Sequence, residues 1–322
     1  MLDNIERRYP LLALDDTTIT AMLSPLFPQR QLVSVEALSG GLINTNYKIR
    51  LTGLDEPFVL RIYMRDRAAC EKEAALFSLI QKTVPVPEVL YADTEGREYE
   101  QPYVVMKWVD GVPLSKALSS GNNEEIQELA ASVGAVLAAI GTYTFPSPGY
   151  FGPSLTIAEP LEDVETYIKT PLQGKAGERL GEVMTQRVLQ LLTENNAYFQ
   201  EVENEALLVH ADFQPSNIRM RKEGEKWKVM AVFDWEFAVA STPLFDIGIH
   251  LRHDSQIPPS YEAPFIASYR QHGGILPPSW KKITKLLDLV NLCEFLNGPE
   301  RGSLIPYVKG KVIETMECWE TY

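Results

Sequence analysis

Three polar residues, His210, Asp212 and Asn217, follow the spacing H-x-D-x-x-x-x-N, and a further carboxylate, Asp234, comes one hairpin later. Phosphoryl transfer needs such a set: one carboxylate to accept the proton of an attacking hydroxyl, and an amide and a second carboxylate to hold magnesium against nucleotide phosphates. On this reading Asp212 is the catalytic base, His210 a further catalytic-loop residue, and Asn217 and Asp234 the metal ligands. Their oxygen donors, completed by water and phosphate, suit Mg2+. An Asp212 with an ordinary carboxylate pKa near ~4 is sufficient for a loose transition state, in which little proton abstraction occurs early.

Those side chains need a frame. Residues 207–209 form an apolar run that predicts a strand entering the loop, and Pro215 stops the loop from continuing as regular structure. Residues 220–224 turn the chain and residues 228–233 predict the return strand. Such a hairpin brings Asn217 and Asp234 to the same end of paired strands. Asp and Asn are common in turns for local reasons, so the spacing means little alone. It gains weight from the flanking strands, His210 and the second carboxylate together.

The N-terminal third supplies a second frame. Residues 33–38 alternate toward Ser39, Gly40 and Gly41, and residues 46–51 alternate again, which predicts strand, loop and strand. Paired glycines let exposed amides approach an anion closely, although the same pair also serves a plain hairpin turn. There is no Walker motif and no full G-x-G-x-x-G. Residues 58–63 predict the next strand, carrying Arg61, and Glu73 follows on a helix over 68–81. The two form either a phosphate-gripping ion pair or an ordinary surface pair of little consequence. Residues 102–111 predict a strand running into a linker.

With these segments in place, the sequence resembles the aminoglycoside phosphotransferase and choline kinase superfamily. Residues 209–217, 232–236 and 242–247 match in that family's order, with weaker matches from Leu38 to the C-terminus. The resemblance implies an α+β, bilobal protein-kinase-like fold. A small antiparallel-sheet N-lobe, residues 1–107, would bind the nucleotide, and a larger, mostly helical C-lobe, residues 108–322, would carry the catalytic loop and the acceptor. It implies transfer of the γ-phosphoryl group of ATP or GTP, with Mg2+, to a hydroxyl of a small molecule such as an aminoglycoside, homoserine, choline or a similar amino alcohol. By position, Ser39, Gly40 and Gly41 would cover phosphates, and Arg61, where protein kinases carry lysine, would grip them with Glu73 as partner. The linker backbone at Met106, Lys107 and Trp108 would meet the adenine edge, and Asp246 would brace the catalytic loop. Residues 84–89 and 208–212 look nearest the hygromycin-type and uncharacterised bacterial branches without fixing a substrate. Ala211 in place of the arginine of H-R-D, Trp235 and Glu236 in place of Phe-Gly, and no A-P-E element argue against a protein kinase. The alternative, a nucleotide-binding pseudokinase without transfer activity, is weakened by intact Asp212, Asn217 and Asp234. Arginine's planar fork at position 61 changes how the phosphates would be held.

Whole-chain properties agree. A chain of 322 residues with 45% hydrophobic content can bury a substantial core. Three widely spaced cysteines, Cys70, Cys293 and Cys318, argue against a disulfide framework, and residues 1–14 lack a signal-peptide core, so a cytoplasmic enzyme is expected. A net charge of −13 argues against nucleic acid as partner. The apolar stretch 129–140 is too short to span a membrane and reads as a buried helix whose small residues permit close packing. The oligomeric state stays open. Further helices are expected over 122–141, 178–199, 261–272 and 279–295, with 145–160 irregular. Glu159, Glu162, Asp163 and Glu165 mark either an ordinary acidic helix start or a patch attracting an amine-bearing acceptor. His250 and His253 have helical spacing, but no nearby Cys or further His completes a metal site. No G-x-S-x-G elbow supports a serine hydrolase.

Overall fold

A computed structural model describes residues 9–38, 43–65, 67–252, 256–299 and 302–322. Period-two alternation builds its first part. After helix α1 (Asp16–Leu23), strands β1 (Leu32–Ala37), β2 (Thr45–Leu51), β3 (Phe58–Ile62), β4 (Val89–Asp93) and β5 (Tyr103–Lys107) form an antiparallel sheet in the order β1-β2-β3-β5-β4. Helix α2 (Arg67–Ile80) is inserted between β3 and β4. Tyr103 and Val105 face α1 in a cluster with Ile19, Met22, Ile49 and Leu60. Val104 and Met106 face the other way and join Leu76, Phe77 and Ile80 of α2 in a core continuous with the rest of the chain. Strand β5 is thus apolar at successive positions because both its faces are covered.

The helical part follows: β6 (Val112–Pro113), α3 (Leu114–Ser120), α4 (Asn123–Ile140), β7 (Gly149–Phe151), β8 (Ile157–Pro160), α5 (Val164–Gln173), α6 (Lys175–Leu180), α7 (Glu182–Glu194) and α8 (Asn196–Gln200). Then come β9 (Leu207–Val209), β10 (Ile218–Glu223), β11 (Lys226–Val232), β12 (Val239–Ser241), α9 (Leu244–Leu251), α10 (Glu262–Gln271), α11 (Trp280–Asn297) and α12 (Leu304–Glu317). A capping box between Asn122 and Glu125 starts α4, satisfying amides that a helix end leaves free. Its small residues allow the close packing expected: a Cβ at Gly134 would stand 2.3 Å from the Phe265 carbonyl of α10. Two small sheets, β11-β10-β6 and β8-β7-β12-β9, carry the loops of interest.

Two expected segments differ. The helix expected over 178–199 is broken into three, because Gly181 takes φ +84° and Asn195 ends α7. The stretch 145–160 is not wholly irregular, since Tyr150 pairs with Val239 and Glu159, extending a sheet alongside β12. Asp163 is the N-cap of α5, its carboxylate accepting from Thr166 N at 2.9 Å, which explains part of the acidic run as a helix start. Among the described residues no helix is long and apolar enough to cross a membrane.

Candidate active site

Strand β9 ends at Val209 and delivers the loop that begins with His210. Asp246, fully buried in the first turn of α9, accepts the His210 amide at Oδ2 and the Ala211 amide at Oδ1, each at 2.8 Å. This carboxylate satisfies two amides that the loop leaves without ladder partners, and it holds Ala211 at φ +62°, a conformation costly for a residue with a side chain. Burial pushes Asp246 up to about 7, against the pull of those two amides. His210 is also fully buried. Its Nδ1 accepts the Asp212 amide at 3.2 Å, so the proton sits on Nε2, which donates to the Phe233 carbonyl at 2.8 Å. Burial pushes this imidazole down to about 4. Grouped with the catalytic residues by spacing, His210 is here a positioning residue, because both ring nitrogens are spent on backbone and no face is open to a substrate.

Asp212 is partly buried. Its Oδ2 accepts from Asn217 Nδ2 at 2.8 Å and from Gln214 Nε2 at 3.1 Å, and Asn217 Nδ2 also reaches the Asp212 carbonyl at 3.0 Å. Burial, then the nearby Asp234 charge, push the carboxyl up to about 7, against Asn217, Gln214 and Arg252. The ordinary pKa expected from sequence is therefore replaced by a raised one. Gln214 was not legible as a site residue, since it occupies a variable position of the motif.

The hairpin does what its length predicts. Ile218 pairs with Val232, and the Phe233 amide donates to the Asn217 carbonyl at 2.9 Å, so Asn217 and Asp234 leave the same end of β10 and β11. Asn217 commits its nitrogen to Asp212, and among the described residues no donor meets its Oδ1. Asp234 sits at φ +61°, a left-handed position, with its side chain 46% exposed. A free amide oxygen beside a half-exposed carboxylate is a donor set that fits a hard divalent cation.

Arg61 and Glu73 are both buried, which removes the surface-pair alternative. Arg61 Nε lies 3.3 Å from Glu73 Oε2, and Nη1 donates to Asp234 Oδ1 at 3.2 Å. The Tyr63 hydroxyl donates to the same Glu73 oxygen, while Glu73 Oε1 is buried without a hydrogen-bond partner. Burial alone would lower the Arg61 pKa, but Glu73, Tyr63 and Asp234 more than offset it and raise it. Met106 is buried at the end of β5. In the linker, Lys107 N donates to Glu88 O at 2.9 Å and Trp108 N to Pro57 O at 3.2 Å. Neither amide is free for a base edge, and Val109 carries the first linker amide without a backbone acceptor among the described residues. The Trp108 ring lies under the Lys48 ammonium at 3.8 Å, and its Nε1 donates to Asp110 at 2.6 Å. Ser39, Gly40 and Gly41 lie outside the described residues, as does His253. His250 has both ring nitrogens engaged, by Phe213 O at 3.0 Å and Tyr261 Oη at 2.9 Å, which leaves none for a metal.

A family model described as the phosphotransferase enzyme family matches residues 34–283. The chain belongs to this family. Its fold is also that of the aminoglycoside phosphotransferase APH(4)-Ia, with a TM-score of 0.68 at 18% identity, covering 94% of this chain and 99% of that one. A ternary complex of a thermostable mutant of that enzyme with AMP-PNP and hygromycin B gives 0.61 at 18% identity, covering 94% and 98%. The GDP and kanamycin complex of APH(2")-IIIa gives 0.64 at 19%, covering 94% and 98%. No curated protein matches the chain. At these identities the structural likeness speaks for the kinase-like fold of this phosphotransferase-family chain.

Proposed function

We propose that this chain is a small-molecule kinase that moves the γ-phosphoryl group of ATP or GTP to an acceptor hydroxyl. The observation that carries the reading is the placement of Asp212, fixed by Asn217 and Gln214, at the end of the hairpin that also presents Asp234 to Arg61. Neighbours of the same fold hold AMP-PNP or GDP, which supports a nucleotide donor. The N-terminal part, residues 1–107, would take the nucleotide, with Arg61, steadied by Glu73, on its phosphates. The linker beyond Met106 would meet the base through carbonyls and the Val109 amide, and Trp108 would act through its ring. The larger part, residues 108–322, would take the acceptor.

Asp212 orients the acceptor hydroxyl and takes its proton as the new O–P bond forms and the bond to the nucleoside diphosphate breaks. A raised pKa makes it a stronger base once ionised. Mg2+, held by Asn217 Oδ1 and Asp234, would supply charge neutralisation at the phosphates. His210 and Asp246 touch neither partner and keep the loop in shape.

The test is a transfer assay with both nucleotides against hydroxyl metabolites and aminocyclitols. Magnesium-dependent phosphorylation is expected, and Asp234→Ala should abolish it, by roughly 10³-fold or more, with weaker magnesium-nucleotide binding. Equal nucleotide affinity with and without magnesium would contradict the assignment of Asn217 and Asp234.

A further inference from the structure

A second buried cation lies beside the catalytic loop with much of its hydrogen-bonding capacity unspent. Arg252, which ends α9, is 6% exposed. Its Nη1 donates to Asp288 Oδ1 at 2.7 Å and to Asn291 Oδ1 at 2.6 Å, both on α11, and the Phe295 ring of the same helix lies 5.6 Å from the guanidinium carbon. Among the described residues no acceptor meets Nε or Nη2, and neither atom is sealed from solvent. Asn291 has given its oxygen to Arg252, and its Nδ2 likewise meets no acceptor among the described residues. Because the fork is planar and Nη1 is tied to α11, the Nε–Nη2 edge is directed away from that helix. The catalytic loop is close on α9's other contacts. His250, two residues earlier, holds the Phe213 carbonyl, and Asp212 feels the Arg252 charge. A guanidinium held almost wholly out of water by two fixed acceptors, with its remaining edge and the half-buried Asn291 amide still open, presents a set of donors that an anionic ligand can occupy.

We propose that Arg252, with the Asn291 amide beside it, binds a carboxylate of the acceptor, which makes the acceptor a hydroxy acid or hydroxy amino acid. The inference deepens the kinase reading and rests on it for the word acceptor. The Nε–Nη2 edge makes two parallel hydrogen bonds to a carboxylate, a geometry that lysine lacks. A single negative charge is favoured over a phosphate ester, because Asp212 and Asp288 are near and each added charge raises the repulsion. The feature that would favour an amine-bearing acceptor, the acidic run around Asp163, is exposed at Glu159, Glu162 and Asp163 and spends Asp163 on capping α5.

The test uses the full chain with Mg-AMP-PNP present. Glycerate, L-serine, L-threonine and L-homoserine are titrated by calorimetry beside choline, kanamycin and glycerol 3-phosphate, and transfer from Mg-ATP is measured for the same compounds. At least one carboxylate compound should bind, and Arg252→Gln should weaken it by 10-fold or more with nucleotide affinity within twofold. Since Arg252→Gln strands Asp288, the double variant Arg252→Gln/Asp288→Asn, balanced in charge, guards against misfolding and should also fail to bind. Absence of binding by every carboxylate compound, or unchanged binding in the double variant, overturns the assignment. Binding confined to choline, kanamycin or glycerol 3-phosphate overturns it too. Carboxylate binding that depends on Arg252 without any transfer upholds the site and sinks the kinase reading. Transfer to choline or kanamycin alone does the reverse.

Discussion

Two buried arginines flank the catalytic loop, and they are held in different ways. Arg61 leaves strand β3 and divides its fork between Glu73, on α2, and Asp234, whose side chain is half exposed. Arg252 closes α9 and gives one nitrogen to two acceptors on a single helix, Asp288 and Asn291. The first cation is shared between elements of different parts of the fold, and one of its partners is a proposed metal ligand. The second is locked by helix packing on one side and open on the other. Both are ion pairs removed from water, yet only the second has a partner whose loss leaves the cation with no other carboxylate bonded to it.

That contrast predicts the largest effect. Asp288→Ala should cost about 3–5 kcal/mol of stability, the usual penalty for stranding a buried charge. Glu73→Ala should cost less, about 1–3 kcal/mol, because Asp234 still bonds Arg61. Denaturant melts of both variants check this, and equal losses would erase the distinction between a shared and a locked pair.

Two buried histidines extend the comparison to pH. His210 lies on the Arg61 side and His250 on the Arg252 side, and burial pushes each from an ordinary 6.5 down to about 4. The unfolded chain takes up these protons first, so their contribution is complete above pH 6.5 and is lost as pH falls toward 4. Each accounts for roughly 3 kcal/mol over that window. Over the same window the folded chain protonates Asp212 and Asp246, both raised to about 7, which stabilises it and offsets the histidines, so the histidine contribution is read as a difference between wild type and variant in thermal melts between pH 7 and 4.5. His250→Phe should be less stable at pH 7, having left the Phe213 carbonyl and Tyr261 hydroxyl without a partner, and its deficit should shrink as pH falls. A deficit that stays constant with pH would mean that His250 already carries a proton in the fold.

Legibility divides along the same line. The Arg61 side was readable because strand alternation and a linear motif fix Asp212, Asn217 and Asp234 within short spans, and a hairpin's register follows from its length. The family resemblance also implies the brace, Asp246. Arg252, Asp288 and Asn291 carry no motif, since they meet only when α9 packs on α11, and Gln214 occupies a variable position inside a motif. The linker shows a further limit: Met106 and Trp108 were placed by position alone, whereas which amides stay free depends on Glu88 and Pro57 carbonyls arriving from distant segments. Burial, which sets the Asp212 and His210 pKa values, is a property of the whole core.

The proposed catalytic carboxylate, Asp212, gives the next largest effect. Asp212→Asn should lower kcat by roughly 10²-fold or more with nucleotide affinity within a few fold, since the amide keeps the contacts to Gln214 and Asn217 in part but accepts no proton. Near-normal turnover would remove Asp212 from the mechanism and leave the Asp234 side as the whole source of rate.

The smallest effect tests whether the fork at Arg61 matters beyond its charge. Arg61 spans Glu73 and Asp234 with two different nitrogens, and a lysine ammonium, a single point of charge, cannot occupy both positions at once. Arg61→Lys retains the cation and so should fold normally and bind nucleotide, but the phosphates should be held less well, with the nucleotide KM raised about tenfold, or about 1.4 kcal/mol, and kcat less affected. The same conservative change at Arg252 should behave differently, because one ammonium still serves Asp288 while the open edge disappears: nucleotide KM should stay put and carboxylate binding should weaken. If Arg61→Lys and Arg252→Lys each change only nucleotide affinity, the two arginines belong to one phosphate site and the comparison between them fails.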